Sequence, residues 1–208
     1  MSRYQKISNI PIVRSREFFP YCYLDDAFTI DELNLIENYC QNFDTDIATT
    51  FAEDSTIESI RKSQVCHIKR YENSEIDWFF ERINNCISHM NDDFYNFELN
   101  GYESFQYTEY DEKYKGAYGY HIDLLTTNLN IPNMRETRKL SVVLFLSDPD
   151  SYEGGGFSVK LGETEETFIE QKKGRMIFFP SFFLHKVHPI TKGIRKSIVI
   201  WVEGPKFK

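Results

Sequence analysis

The sequence predicts an α+β fold that is mainly β: a sandwich or barrel of short strands buttressed by N-terminal helices. Three observations carry this reading. Beyond Gly101, runs rich in β-branched and aromatic residues recur at 105–110, 118–123, 139–147, 157–161, 167–170, 175–179, 184–187 and 195–202, the texture of a closed all-β unit. Gly154-Gly155-Gly156, Gly162, Gly174 and Gly193 separate the runs, and Pro149, Pro180 and Pro189 stand outside them, where a missing N–H breaks no ladder. Before Gly101, apolar residues recur instead at three and four positions, the helical period.

The helical half starts from Thr29-Ile30-Asp31-Glu32, a T-x-x-E capping box, with Leu33, Ile36, Tyr39, Cys40 and Phe43 following at helical spacing. A short extended segment is expected over 64–71. Ser74 is then expected to open a second helix, with Ile76, Phe79, Phe80, Ile83, Ile87, Met90 and Phe94 on its buried stripe. Residues 1–100 therefore read as a helical and extended buttress, and residues 101–205 as the β-rich body of the same structural unit.

A chain of 208 residues fits one such domain, and 18 Phe and 13 Tyr supply a core that disordered chains lack. The net charge of −8 provides no global cationic field, which disfavours nucleic acid as a partner. No run of 18 apolar residues predicts a membrane span. The start of the chain carries Arg3, Lys6, Arg14, Arg16 and Glu17 without the apolar stretch of a secretory signal. Cys22, Cys40, Cys66 and Cys86 form no C-x-x-C pair and read as reduced core thiols. A cytoplasmic protein is expected. Oligomeric state stays open.

The most informative tripeptide is His121-Ile122-Asp123. Side chains alternate along a strand, so residues 121 and 123 project to one face about 6–7 Å apart and can reach one metal ion. A third ligand is required. His89 falls on the polar side of the second helix and His67 has nothing chemical around it, which leaves His185 and His188. Three residues apart on a strand, these two point to opposite faces, and only one can join the pair. Two histidines and a carboxylate suit a non-haem Fe(II) oxygenase with three open positions. If a dicarboxylate cosubstrate fills them, its far end needs a buried cation. Arg195 and Ser197, two apart on the final strand, can face that interior, and an arginine fork matches a carboxylate.

Five segments, in order, resemble the prolyl 4-hydroxylase-like branch of the 2-oxoglutarate and Fe(II)-dependent dioxygenases. They are Tyr118 to Asp123, Arg138-Lys139-Leu140-Ser141, Asp150 to Gly155, Phe179 to Val187, and Thr191 to Ser197. The resemblance implies a double-stranded β-helix, or jelly roll. It implies iron held by His121, Asp123 and His185, with His188 left outside, 2-oxoglutarate anchored by Arg195, O2 as the second cosubstrate, and ascorbate by family habit. Tyr110 resembles the phenol that many relatives place beside the cosubstrate. A second phenol near the far carboxylate is replaced here by Phe145, and Ser197 is the candidate substitute donor. Asp123 is the carboxylate that halogenating relatives lose, so hydroxylation is expected.

The implied activity is hydroxylation of an unactivated C–H bond, with a prolyl residue in a protein or peptide as the first substrate class. A free amino acid or other small metabolite is the alternative. A nucleic-acid demethylase has only Arg135, Arg138 and Lys139 to offer near the site, and a non-catalytic jelly roll that keeps its metal is the remaining reading. The long connection over 124–138 is the expected substrate loop. Phe178, Phe179, Phe182 and Phe183 are expected to help exclude water. The acidic run Glu163, Glu165, Glu166 and Glu170 reads as a solvated hairpin face rather than a docking site for a basic substrate.

Overall fold

The computed structural model describes residues 19–48, 61–71, 74–124, 136–162 and 166–207. In these, fourteen strands build three antiparallel sheets, with two helices against one face of the largest. The strands are β1 (Cys22–Leu24), β2 (Asp46–Ile47), β3 (Arg61–Lys62), β4 (Gln64–Ile68), β5 (Phe105–Asp111), β6 (Ala117–His121) and β7 (Glu136–Phe145), followed by β8 (Glu153–Gly154), β9 (Phe157–Lys160), β10 (Glu166–Ile169), β11 (Met176–Pro180), β12 (Leu184–Val187), β13 (Ile190–Lys192) and β14 (Ile194–Pro205). The large sheet runs β1-β11-β7-β14-β5-β4-β2, the second β10-β9-β12-β6-β3, and β13-β8 forms a small ribbon. The two main sheets face each other as a jelly roll.

Each of the eight strand-like runs beyond Gly101 is a strand, with ends shifted by up to a few residues. The N-terminal half departs from the expected buttress. Beside its helices and the expected β4, it supplies β1, β2 and β3, which extend the edges of both sheets. The chain crosses from one sheet to the other at Ser63, so that β3 pairs with β6 while β4 pairs with β5. Strands of two or three residues carry no readable alternation; the sheets they join create them.

Helix α1 (Ile30–Gln41) begins at the expected capping box: Glu32 N–H donates to Thr29 Oγ1, and Thr29 N–H donates to Glu32 Oε2. Helix α2 (Asp77–Met90) begins three residues after Ser74, without a side-chain cap. Ser74 lends its carbonyl to the Asp77 N–H, and its hydroxyl is buried without a hydrogen-bond partner among the described residues. A π turn over Asn91–Tyr95 then adds a residue to the winding and takes Phe94 off the buried stripe, exposing it, while Tyr95 turns inward and donates to Phe178 O at 2.9 Å.

Period-two alternation divides the large sheet into two cores. Phe105 and Tyr107, Leu140, Val142 and Leu144, Met176 and Phe178, and Ile198, Ile200 and Val202 pack toward α1 and α2. Tyr110, Val143, Phe145, Ile177 and Phe179 pack toward the second sheet, against Phe157, Val159 and Val187. All four cysteines are free, and burial pushes the thiols of Cys22 and Cys66 up to about 11, as expected of inert core residues. No helix among the described residues is long and apolar enough to cross a membrane.

Candidate metal and cosubstrate site

The three residues singled out as ligands meet between the sheets. One side-chain donor atom each from His121, Asp123 and His185 lies within 4.8 Å of the others. His121 Nε2 is 3.6 Å from Asp123 Oδ1, and His185 Nε2 is 3.4 Å from Asp123 Oδ2. Pairing of β6 with β12 places His121 directly opposite His185. Asp123 differs from its sequence reading, because β6 ends at His121. The carboxylate stands just past the strand, where the backbone N–H groups of Asp123 and Leu124 both donate to Ser181 O, at 2.8 and 2.9 Å.

The surroundings prepare all three side chains as ligands. His121 Nδ1 lies 2.9 Å from Gly119 O and His185 Nδ1 2.9 Å from Phe183 O. Donation from Nδ1 to these carbonyls leaves the Nε2 lone pairs free for a metal. Burial, with His185 close by, pushes His121 down to about 3, so its imidazole is neutral at physiological pH. Burial opposes ionisation of Asp123. The facing His185 and His121 and a 2.7 Å hydrogen bond from Ser141 Oγ to Oδ2 overcome it, holding the carboxyl below its usual range. Ser141 Oγ is also 2.9 Å from Ser181 Oγ. Tyr118 stacks on His121 at 3.5 Å between ring centroids, and Phe179 meets His185 edge-on at 4.8 Å.

Strand alternation alone would put Tyr118 and His121 on opposite faces. A bulge corrects this: β12 advances two residues from His185 to Val187 while β6 steps three, from His121 to Tyr118. The extra residue brings both rings to the same side. Of the four phenylalanines expected to exclude water, Phe179 alone touches a ligand ring. Phe178 belongs to the helix-side core by parity, and Phe182 is exposed against Phe183 and Phe207. Phe157, 5.8 Å from the His185 ring, supplies the apolar wall that the sequence reading did not single out.

Arg195 lies in the same interior, 1% exposed. Its Nε donates to Gln171 Oε1 at 2.7 Å and its Nη1 to Ser197 Oγ at 3.4 Å, with the Tyr152 phenol close by, while Nη2 is buried with no hydrogen-bond partner among the described residues. The guanidinium sits 5.5 Å from the Tyr110 ring and 5.3 Å from the Phe145 ring. Tyr110 faces Arg195 across the β5–β14 pair, whereas Tyr107 has helix-side parity and Tyr114 turns back to Glu109 O. Gln171, missed in the sequence, is tied by its Nε2 to Gly155 O at 3.1 Å. Gly155 has φ +64°, and a Cβ there would collide with Ile190 Cδ1 and crowd Arg195 Cδ at 3.1 Å. The positive φ and the Ile190 side chain require glycine here, and its lack of a Cβ also leaves room for Arg195.

The donor set fits Fe(II): two imidazoles and one carboxylate, with the rest of the coordination sphere open. The unpartnered Nη2 fits a carboxylate, since a buried donor left unmade is costly and a charge-assisted bond satisfies it. His121, Asp123, His185, Tyr110, Arg195 and Ser197 line one inner cavity. The expected loop over 124–138 lies largely outside the described residues. His188, the excluded candidate, is engaged elsewhere, 2.8 Å from Glu166 Oε1 and 3.3 Å from Ser158 Oγ. Glu163 and Glu165 lie outside the described residues. Glu166 is held in that cluster, whereas Glu170 pairs with Arg175 at 2.9 Å while its side chain stays exposed, as expected of a solvated face.

A sequence profile described as the 2OG-Fe(II) oxygenase superfamily matches residues 105–203. Over these residues, just under half of the chain, the sequence is similar to that superfamily. The superfamily implies Fe(II), 2-oxoglutarate and O2, and His121, Asp123 and His185 form a cluster that could hold a metal ion. Among curated relatives, a PKHD-type hydroxylase of Teredinibacter turnerae is 37% identical over 90 residues, covering 43% of this chain and 38% of the relative. Another, of Methylobacillus flagellatus, is 37% identical over 98 residues, 44% of this chain and 41% of the relative. The similarity thus spans about two-fifths of the relatives' length. Solved structures extend the fold comparison across both halves. A prolyl-4-hydroxylase of Pseudomonas putida superposes with TM-score 0.69 at 19% identity, over 88% of this chain and 92% of that one. A Trichoplax adhaerens prolyl hydroxylase, solved with a peptide fragment of the hypoxia inducible factor oxygen degradation domain, gives TM-score 0.69 at 20% identity, over 88% and 83%.

Proposed function

We propose that the protein is an Fe(II)- and 2-oxoglutarate-dependent hydroxylase acting on a prolyl residue in a protein or peptide. The observation that carries the reading is one interior holding both a two-histidine, one-carboxylate donor set and a buried arginine with an unpartnered nitrogen. Similarity to PKHD-type hydroxylases and to prolyl hydroxylases supports the reaction and the substrate class.

Each side chain then has a task. His121, Asp123 and His185 hold the metal, and Ser141 fixes the Asp123 carboxylate by its hydrogen bond. Arg195 takes the far carboxylate of 2-oxoglutarate through Nη2, with Gln171 and Ser197 fixing the rest of the fork. Burial raises the Tyr110 phenol, which stays protonated as a donor beside the cosubstrate. Phe157 and Phe179 keep water from the ligand side of the cavity. The bound group supplies the oxidation itself: Fe(II), 2-oxoglutarate and O2 hydroxylate a C–H bond while 2-oxoglutarate is converted to succinate and carbon dioxide. Four free thiols support a cytoplasmic setting for this chemistry.

The test is mass spectrometry of proline-containing peptides after incubation with Fe(II)-loaded protein and 2-oxoglutarate under air. The reading expects a peptide one oxygen atom heavier, modified at proline, and no product with Asp123→Ala. Succinate release without any modified proline across a diverse peptide set would overturn the prolyl assignment and move the reading to a small-molecule substrate.

A further inference from the structure

The inner cavity shares its walls at Asp123, Tyr118 and Trp201 with an outer one of about 610 Å³, whose walls also include Arg61 and Arg138. Four buried side-chain polar atoms lack a hydrogen-bond partner among the described residues: Ser74 Oγ, Arg138 Nε, Arg195 Nη2 and Trp201 Nε1. Three of the four belong to residues lining these two cavities. Arg195 is accounted for by the cosubstrate. Arg138 and Trp201 are not.

Arg138 reaches the cavity through a specific irregularity. Between Val202 and Glu203 the β14 partner advances one residue while β7 advances two, from Leu140 to Arg138. This bulge puts Arg138 on the face of Ser141, where plain alternation would have put Thr137 and Lys139. Bulges re-aim side chains in this way, often beside functional sites. The guanidinium stacks on the Trp201 ring at 4.0 Å, which fixes its plane. Arg61 is held comparably, 4.7 Å above the Tyr118 ring, with its Nε donating to Ser63 Oγ at 2.9 Å. Neither guanidinium has a carboxylate within ion-pairing distance among the described residues, although Asp123 and Glu203 act on Arg138 from farther away. Lys69 and Glu103, in the same cavity, neutralise each other at 3.6 Å.

Two stacked arginines with no carboxylate at ion-pairing distance among the described residues, sharing a cavity with Asp123 and Glu203 beside the candidate metal site, are placed to receive an anion. We propose that the substrate presents a carboxylate to Arg138 and Arg61 while its target carbon faces the metal. The inference deepens the hydroxylase reading and rests on it. The carboxylate has two possible sources with the same chemistry: an acidic side chain next to the target in a peptide, or the α-carboxylate of a free amino acid.

The test is calorimetry on the full chain loaded with 2-oxoglutarate and Mn(II), which replaces iron so that no turnover occurs. The probes are a blocked Ala-Pro-Glu-Ala peptide against its Gln counterpart, the same pair with Ala in place of Pro, and L-proline against L-prolinamide. At least one acid is expected to bind about tenfold more tightly than its amide, as a charge-assisted bond gives. That ratio should fall toward one in Arg138→Gln, be partly kept in Arg138→Lys, and shrink in Arg61→Gln, with folding of each variant checked by circular dichroism. The probe that shows the preference names the source. A wild-type ratio near one for every pair, or no acid that binds, overturns the proposal. So does a preference that survives in both glutamine variants. An acid preference shared by the Ala and Pro series keeps this proposal and defeats the prolyl assignment; a proline preference blind to charge does the reverse.

Discussion

Two buried arginines on the large sheet show how structure and function divide the same chemistry. Arg175, just before β11, is 7% exposed and fully matched: Nε and Nη2 donate to Asp25 at 2.8 and 2.9 Å, and Nη1 donates to Glu170 Oε2 at 2.9 Å. Arg195, on β14, is buried more deeply, yet its partners are the neutral Gln171 and Ser197, with the Tyr152 phenol close by, and one nitrogen has none among the described residues. The chain supplies acids to the arginine that ties β1 and β11 together. It withholds them from the arginine that faces the metal site. A buried cation left short of an anion is a cost that a bound carboxylate offsets, which turns instability into affinity.

The comparison breaks most visibly at Arg195. Arg195→Ala should weaken 2-oxoglutarate binding roughly 100-fold or more, the scale of losing a buried charge pair, while the melting temperature without cosubstrate changes little. Calorimetry and thermal unfolding on the same preparation check both halves. Ser141→Ala removes the hydrogen bond to Asp123 Oδ2 and should lower metal affinity about 10–100-fold, read by competition with a chelator. Arg175→Ala should do the reverse of Arg195→Ala. It costs roughly 1–3 kcal/mol of stability, since its acids are partly solvated, and leaves the dissociation constant for 2-oxoglutarate unchanged.

Gln171→Leu sharpens the contrast, because it frees Arg195 without removing its charge. The KM for 2-oxoglutarate should rise about tenfold through the lost charged hydrogen bond, with kcat at saturation nearly kept. The smallest effect belongs to another internally matched region. Burial opposes ionisation of Glu166, but hydrogen bonds from Ser158, Lys186, His188 and Tyr120 bring its carboxyl down to about 2 from the ordinary 4.5. A carboxyl depressed by folding stabilises above its unfolded value and loses that contribution as pH falls toward its folded one. Stability against thermal unfolding should therefore fall as pH drops from about 4.5 to 2, and Glu166→Gln should flatten that limb.

Much of this was legible in the sequence, for reasons that also mark where legibility ended. Runs of five or more residues declared themselves through alternation, and the capping box of α1 through side-chain chemistry at fixed spacing. His121, Asp123, His185 and Arg195 stood out because few residue types serve a metal or a buried anion. What stayed hidden depends on pairing. The short strands β1, β2 and β3 exist only as edges of sheets built elsewhere. The bulges that turn Tyr118 and Arg138 into the cavities appear in register alone, since one extra residue reverses parity without leaving a compositional trace. Gln171 was invisible because a glutamine on a turn has no signature until an arginine reaches it.

The central claim is that His121, Asp123 and His185, and not His188, hold the metal that turns over 2-oxoglutarate. The most direct measurement is succinate formed from 2-oxoglutarate under air by Fe(II)-loaded wild-type protein, His185→Ala, His188→Ala and Asp123→Ala, each with its iron content determined. The account predicts iron and succinate for the wild type and His188→Ala, and neither for the other two. Iron retained and succinate formed by His185→Ala, with both lost in His188→Ala, would contradict it.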